Sequence, residues 1–154
     1  MGSKRKLYAA VLERISASAT AVLEGIERGD PARAMHQFTE RFLAWSEAHP
    51  HYVEILLREM MENPARIGEV HRWLLADFVR QAVALTAEAV GERRAQQIDP
   101  DMLLMVLLGS VTYFQVARKT FAAIRGGDAQ QQRRRFIDTL EAMLQASLSA
   151  AAKR

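Results

Sequence analysis

The side chains best suited to chemistry in this sequence are histidines that lie one helical turn from an acidic residue. His36 and Glu40 are four positions apart, so a helix places both side chains on one face. Two ligands do not complete a metal site, because even a catalytic zinc site takes three protein ligands. We therefore interpret the pair as a local contact, and we predict no bound metal and no cofactor.

Other arrangements that could support metal binding or catalysis are weak or missing. His49 and His51 flank Pro50 at a predicted helix junction, where the change of backbone direction makes joint ligation awkward. No Glu is followed three positions later by His, the pattern that di-iron bundles need on facing helices. The sequence has no cysteine, no Gly-x-Ser-x-Gly nucleophile elbow and no glycine-rich phosphate loop. We predict no catalytic residue and no enzyme, with a site assembled from distant helices left as an open alternative.

The composition fits one domain and permits an intracellular location. A chain of 154 residues is long enough to bury most of its apolar surface, and the absence of cysteine excludes disulfides and permits a reducing compartment. The 21 Lys and Arg residues nearly balance the 18 Asp and Glu residues, so the net charge of +3 gives little support for nucleic-acid binding. We interpret the basic clusters 4–6 and 133–135 as solvated surface, and we predict a cytoplasmic protein.

Proline and glycine divide the sequence into helices. Each of the four prolines follows a residue that proline disfavours in helical geometry, in the pairs Asp30-Pro31, His49-Pro50, Asn63-Pro64 and Asp99-Pro100. The Asp and Asn side chains can accept hydrogen bonds from first-turn amides, and Gly126-Gly127 predicts a further break. These signals predict an all-α fold of six helices, over residues 3–28, 31–48, 50–62, 64–90, 100–125 and 129–151.

Apolar side chains recur at helical spacing and predict one core. The second predicted helix carries Phe38, Phe42 and Trp45 on one face. The fifth helix is apolar around its whole circumference from Met102 to Leu108. Its uncharged segment runs from Met102 to Ala117, which is shorter than the about 20 apolar residues that a membrane span needs. We predict a buried core helix and no membrane segment. The fourth predicted helix carries an apolar stripe of Ile67, Val70, Leu74, Phe78 and Leu85.

A helix that is apolar on every side needs more cover than one six-helix chain provides. We therefore predict that the fifth and sixth helices meet the same pair from a second copy in a four-helix interface. Gly109 fits a close helix crossing there, and a merely tolerated glycine is an equal alternative. The predicted interface residues are Gly109, Phe136, Leu140, Leu144 and Leu148.

Short motifs along the chain resemble the TetR family of transcriptional regulators. The opening Gly2-Ser3-Lys4-x-x-Leu7-Tyr8-x-x-Val11-Leu12-x-Arg14 is similar to the end of that family's DNA-binding head, where the chain enters a long linker helix. Ala48-His49-Pro50 followed by Leu56-Leu57-Arg58-Glu59, and Ile98-Asp99-Pro100 before an apolar helix, resemble the C-terminal sensor domain. The similarity covers nearly the whole chain.

The resemblance implies one domain over residues 1–154 that binds a small effector and forms a homodimer, with residues 1–28 as the linker helix. The helix-turn-helix head does not precede Ser3, so we expect no direct DNA binding by this chain alone. Either the head was removed at this boundary, or the protein is a naturally headless relative. The implied mechanism is a population shift, in which a hydrophobic or planar aromatic ligand moves the linker helix.

The resemblance also implies walls for a ligand pocket, and plain core packing is the alternative for each of them. Tyr113 is the strongest single candidate, because a hydroxyl in an apolar helix needs a hydrogen-bond partner. The predicted pocket residues are Phe38, Phe42, Trp45, Met60, Phe78, Tyr113 and Phe114.

Three other functions are open at this point. A headless protein could form mixed dimers with a full-length regulator. A helical carrier or enzyme for a hydrophobic small molecule would depend on polar pocket groups such as Tyr113 or Gln115. Nucleic-acid binding through residues 133–135 would have a steeply salt-dependent affinity.

Overall fold

The computed structural model describes residues 2–62 and 75–149, and these residues form helices with no strand among them. The helices are α1 (Gly2–Thr20), α2 (Pro31–Ala48), α3 (Pro50–Glu62), α4 (Ala76–Val90), the short α5 (Glu92–Ala95), α6 (Pro100–Arg125) and α7 (Ala129–Ser149). The predicted all-α fold is confirmed. The bounds of α2, α3 and α6 agree with the prediction, whereas α5 was not predicted.

Aspartate followed by proline begins two of the long helices. Asp30 Oδ1 accepts hydrogen bonds from the backbone N–H groups of Ala32 and Arg33, at 3.0 and 3.2 Å. Asp99 makes the same pair of bonds at the start of α6. Each carboxylate satisfies two first-turn amides, and the following proline lacks the amide that would otherwise stay unpaired. These caps explain why the starts of α2 and α6 lie where the sequence predicts them.

The first helix ends earlier than the predicted residue 28. The α-helix stops at Thr20, and a single 3-10 turn follows over Ala21–Leu23. Glu24 is extended, and Gly25 has a φ of +65°, a conformation that glycine adopts without strain. The apolar side chain of Ile26 is nevertheless buried. Helical spacing predicts the burial of Ile26 correctly although its backbone is not helical.

The predicted fourth helix, residues 64–90, is described only in its second half. Residues 63–74 lie outside the described part of the chain, and with them the predicted core residues Ile67, Val70 and Leu74. α4 begins at Ala76, and Leu75 before it has φ −88° and ψ 0°, so the helix is not continuous through residue 75. Neither proline nor glycine stands at this position, so the sequence analysis, which relied on apolar spacing here, did not predict the start of α4 at Ala76.

Helix α2 lies at the centre of the described bundle. It packs against α3, α4, α6 and α7, while α4 also packs against α1 and α6. Burying a side chain of leucine or phenylalanine size contributes about 1.5 to 3 kcal/mol, so the large side chains between these helices hold the fold together. Those buried most completely are Ile15, Met35, Phe38, Leu43, Leu85, Leu107 and Val111.

Candidate functional site

Four of the predicted pocket residues meet in the core, and we call them the aromatic core cluster. Phe38, Phe42 and Trp45 lie on one face of α2, and Phe78 comes from α4. The ring centroid of Phe42 is 6.0 Å from that of Phe38, 5.7 Å from that of Trp45 and 5.9 Å from that of Phe78. All four side chains are buried. These are the separations of packed aromatic pairs, so the rings contact one another directly.

Hydrogen bonds anchor α1 near both of its ends. Trp45 Nε1, in the aromatic core cluster, donates to Ser18 Oγ at 2.8 Å. Near the start of α1, the Tyr8 hydroxyl donates to the buried carboxylate of Glu59 on α3, at 2.5 Å. A displacement of α2 or α3 would therefore displace α1 through these hydrogen bonds.

The other three predicted pocket residues lie elsewhere. Phe114 of α6 stacks on Phe136 of α7, with 4.2 Å between ring centroids and 8° between ring planes. Met60 is exposed on α3, and Tyr113 is 66% exposed on α6. Each residue turns a helix by about 100°, so Tyr113 points away from the core when Val111 points inward. The structure thus gathers the four core aromatics but leaves Met60, Tyr113 and Phe114 apart from them.

The outward face of α6 is apolar and has no cover within the described part of this chain. Gly109 lies in the middle of this face, and a Cβ atom built there meets nothing within 4 Å. Monomeric proteins rarely expose a continuous apolar face of this kind. We call it the α6 apolar stripe, and its exposed side chains are Met102, Met105, Val106, Tyr113, Val116 and Ile124.

The α7 residues predicted for a dimer interface face the other way. Leu140, Leu144 and Leu148 are buried in this chain's own core, and Phe136 is half-buried against Phe114. Their spacing places them on one side of α7, which packs on α2 and α6. A second subunit would therefore meet a different side of α7 from the predicted one. That outward side carries Thr139, Ala142, Met143 and Ala146.

A glutamate at the C-terminal end of α2 binds one arginine on α6 and one on α7. Glu47 Oε1 is 3.3 Å from Arg118 Nη1 of α6, and Glu47 Oε2 is 2.9 Å from Arg133 Nε of α7. All three side chains are partly buried, so solvent screens them less than an exposed pair. The basic cluster 133–135 thus uses one of its charges inside the fold, while Arg134 and Arg135 are exposed.

Among the described helices, α6 has the length and apolar composition that could cross a membrane, yet only 22% of its apolar window is buried in the chain. The inner face carries polar groups, because Gln115 is 9% exposed and Arg118 binds Glu47. Lipid on every side would leave such groups poorly solvated. We therefore describe α6 as a bundle helix with one packed face and one exposed face, which corrects the prediction that it is buried all round.

A cavity of about 620 Å³ opens between the start of α2, the end of α4, α5 and the C-terminal half of α7. Sequence reasoning missed this cavity. One signal was available, because Glu141 lies between Leu140 and Leu144, where a charged group must find a partner. The lining is apolar at Met35, Ala89, Leu144 and Leu148, and polar at His36, Arg94, Glu141 and Gln145.

The comparison with protein families agrees with these observations. The model described as "YcdC-like protein, C-terminal region", one of the TetR C-terminal families, matches residues 9–153, nearly the whole chain. Comparisons with curated proteins and with solved structures find no match. The resemblance inferred from the motifs is confirmed by the family match. The chain belongs to the TetR family, as a regulatory C-terminal region of the YcdC-like type.

Proposed function

We propose that this domain binds a small effector molecule and forms a homodimer in the cytoplasm, and that it acts by binding rather than by catalysis. The observation that carries the proposal is the α6 apolar stripe, which exposes an extended apolar face on a domain of a regulator family. TetR-type C-terminal domains generally dimerise and bind small effectors. The proposal applies both properties to this chain.

A second copy of the chain is the partner that we propose for the α6 apolar stripe. The outward side of the neighbouring α7 adds the exposed Met143 and the small side chains of Ala142 and Ala146. Two α6–α7 pairs related by a two-fold axis can form a four-helix interface. Gly109 supports a close crossing there, because it removes a side chain from the middle of the stripe.

The aromatic core cluster supports the sensing half of the proposal. Its rings would give apolar contacts to a planar or hydrophobic ligand that entered between them, and Trp45 is hydrogen-bonded to Ser18 of α1. A ligand that enters between the rings must displace them, and displacement of Trp45 would move α1 with it. The ligand would then favour one position of α1 over another, which is a population shift.

Native mass spectrometry of the purified chain tests both halves. We expect the mass of a dimer that retains a small molecule. The double variant V106R/Y113R should give the monomer mass, because an interface helix cannot bury unpaired charges without a large cost. M61R is the matched control, since Met61 is exposed on α3, away from the stripe, and this variant should remain dimeric.

The two halves can fail separately. A wild-type chain that is monomeric at micromolar concentration would contradict the proposed interface. A dimer that carries no adduct, and whose melting temperature no planar apolar compound raises, would contradict effector binding while leaving dimerisation intact.

A further inference from the structure

We propose that His36, Glu40 and Glu141 bind one divalent transition-metal ion of the zinc type. One ligand atom from each of the three side chains lies within 4.8 Å of the other two. His36 Nδ1 is 2.5 Å from Glu141 Oε1, and His36 Nε2 is 3.5 Å from Glu40 Oε2. His36 and Glu40 share one helix face in the sequence, and the fold brings Glu141 to them.

The packing of α2 against α7 brings the third ligand to the pair. His36 and Glu40 lie one turn apart on α2, and Glu141 projects from α7 between the buried side chains of Leu140 and Leu144. Because these leucines are fixed in the core, the backbone of Glu141 has little freedom to move away. The three ligands therefore belong to two packed helices rather than to a loop, which favours a defined site.

The burial of Glu141 favours a bound cation. Its Oε1 atom is buried and accepts no hydrogen bond from the described residues. His36 Nδ1 lies close to it, but the approach lacks hydrogen-bond geometry, so it is an ion-pair contact only. A neutral imidazole would leave this oxygen without a cationic partner, which is costly for a buried carboxylate oxygen. A metal ion beside both atoms would accept the lone pairs of the nitrogen and the oxygen at once.

One imidazole nitrogen and two carboxylate oxygens form a ligand set that zinc accepts. Zinc bonds to nitrogen and oxygen are about 2.0 to 2.2 Å long, so tetrahedral ligand atoms lie about 3.4 Å apart. One ligand atom from each of the three side chains lies within 4.8 Å of the other two, so small side-chain movements would bring the three atoms to that spacing around one ring nitrogen of His36. The side chains of His36 and Glu40 are 46% and 49% exposed, so they have room to adjust. Imidazole suits transition metals, whereas Mg²⁺ prefers oxygen ligands alone.

The cavity supplies the remaining coordination position. His36 and Glu141 both line it, so an ion held between them faces the cavity on one side. A water molecule or a donor atom of a small ligand can complete the coordination, as in zinc sites with three protein ligands. The site is thus open to an exchangeable ligand, and it lies apart from the aromatic core cluster and the α6 apolar stripe.

Isothermal titration of Zn²⁺ into the chelator-treated full-length chain tests this proposal. We expect one Zn²⁺ per chain, and Mg²⁺ in tenfold excess should not compete. H36A and E141Q should each weaken Zn²⁺ binding by at least about tenfold, because loss of even an outer-shell partner costs roughly 10- to 100-fold. H51A is the matched control, since His51 and Glu54 form an exposed pair at 3.3 Å outside the three-ligand group.

Several outcomes would overturn the site. Unchanged Zn²⁺ affinity in both H36A and E141Q, or loss of binding in H51A instead, would place the ion elsewhere. A wild-type chain that takes up no Zn²⁺ would leave the three residues as an ion-pair cluster only. If circular dichroism shows that a variant is unfolded, histidine side-chain NMR of the wild type decides, because Zn²⁺ must shift the His36 imidazole signals and leave those of His51 unchanged.

Discussion

The two faces of α6 differ in exposure, and the exposed face is the more apolar of the two. The inner face carries the fully buried Leu107 and Val111 and then the polar Gln115 and Arg118. The outer face, the α6 apolar stripe, is exposed although its side chains are mostly apolar. Exposed faces of helices in monomeric proteins are ordinarily polar. The packing of this chain therefore explains the sequence of the inner face of α6 but not that of the apolar outer face.

Truncation on the two faces should separate chain stability from association. L107A removes a fully buried side chain and should lower the free energy of unfolding by about 2 to 5 kcal/mol. M105A, at a position that is 63% exposed, should change the stability of the monomer by less than about 0.5 kcal/mol but weaken the dimer. Urea denaturation at two protein concentrations measures both effects. If M105A lowers the free energy of unfolding as much as L107A does at low protein concentration, the two faces do not differ in their contribution to chain stability.

The buried amide on the inner face gives a smaller effect of the opposite sign. Gln115 Oε1 is buried and accepts no hydrogen bond from the described residues. Q115L should therefore raise the free energy of unfolding by about 1 kcal/mol, because it removes an unsatisfied polar atom and keeps the volume. Q81L, at an exposed position of α4, is the control and should have little effect. Destabilisation by Q115L would show that the amide has a partner in the working protein, such as a bound ligand.

The smallest effect is expected at the centre of the stripe. G109A should stabilise the separate chain by up to about 1 kcal/mol, because alanine has the higher helix propensity and its Cβ meets nothing within 4 Å. If two copies of α6 cross at this glycine, the same change should weaken the dimer. Urea denaturation of G109A in the monomeric V106R/Y113R background measures its effect on the free energy of unfolding. Dilution of the G109A dimer measures its effect on the dissociation constant. A dimer strengthened by G109A would place the crossing elsewhere on the stripe.

Local signals in the sequence predicted much of the fold. Asp30 and Asp99 cap their helices with their own side chains, so the starts of α2 and α6 needed no tertiary information. The spacing of Phe38, Phe42 and Trp45 predicted one buried face because a helix repeats every 3.6 residues. The start of α4 at Ala76 carries no such local signal, and the sequence analysis did not predict it.

The candidate sites were harder to predict because they depend on which faces of two helices meet. α6 is apolar on nearly every side from Met102 to Leu108, so periodicity could not tell its packed face from its exposed face. For the same reason Tyr113 was expected in a pocket and lies outside. Glu141 reaches His36 only through the packing of α7 on α2, across about a hundred residues of sequence. No local pattern encodes that distance.

Glu47 gives the C-terminal part of the fold a common point of attachment. Its two carboxylate oxygens bind Arg118 and Arg133, which lie on opposite sides of the Gly126-Gly127 turn. A displacement of the end of α2 is therefore passed to α6 and α7 together. The helices α6 and α7 should therefore move as one unit when the end of α2 moves. A rotation of this unit would turn the outward faces of α6 and α7 together without repacking the core of the chain.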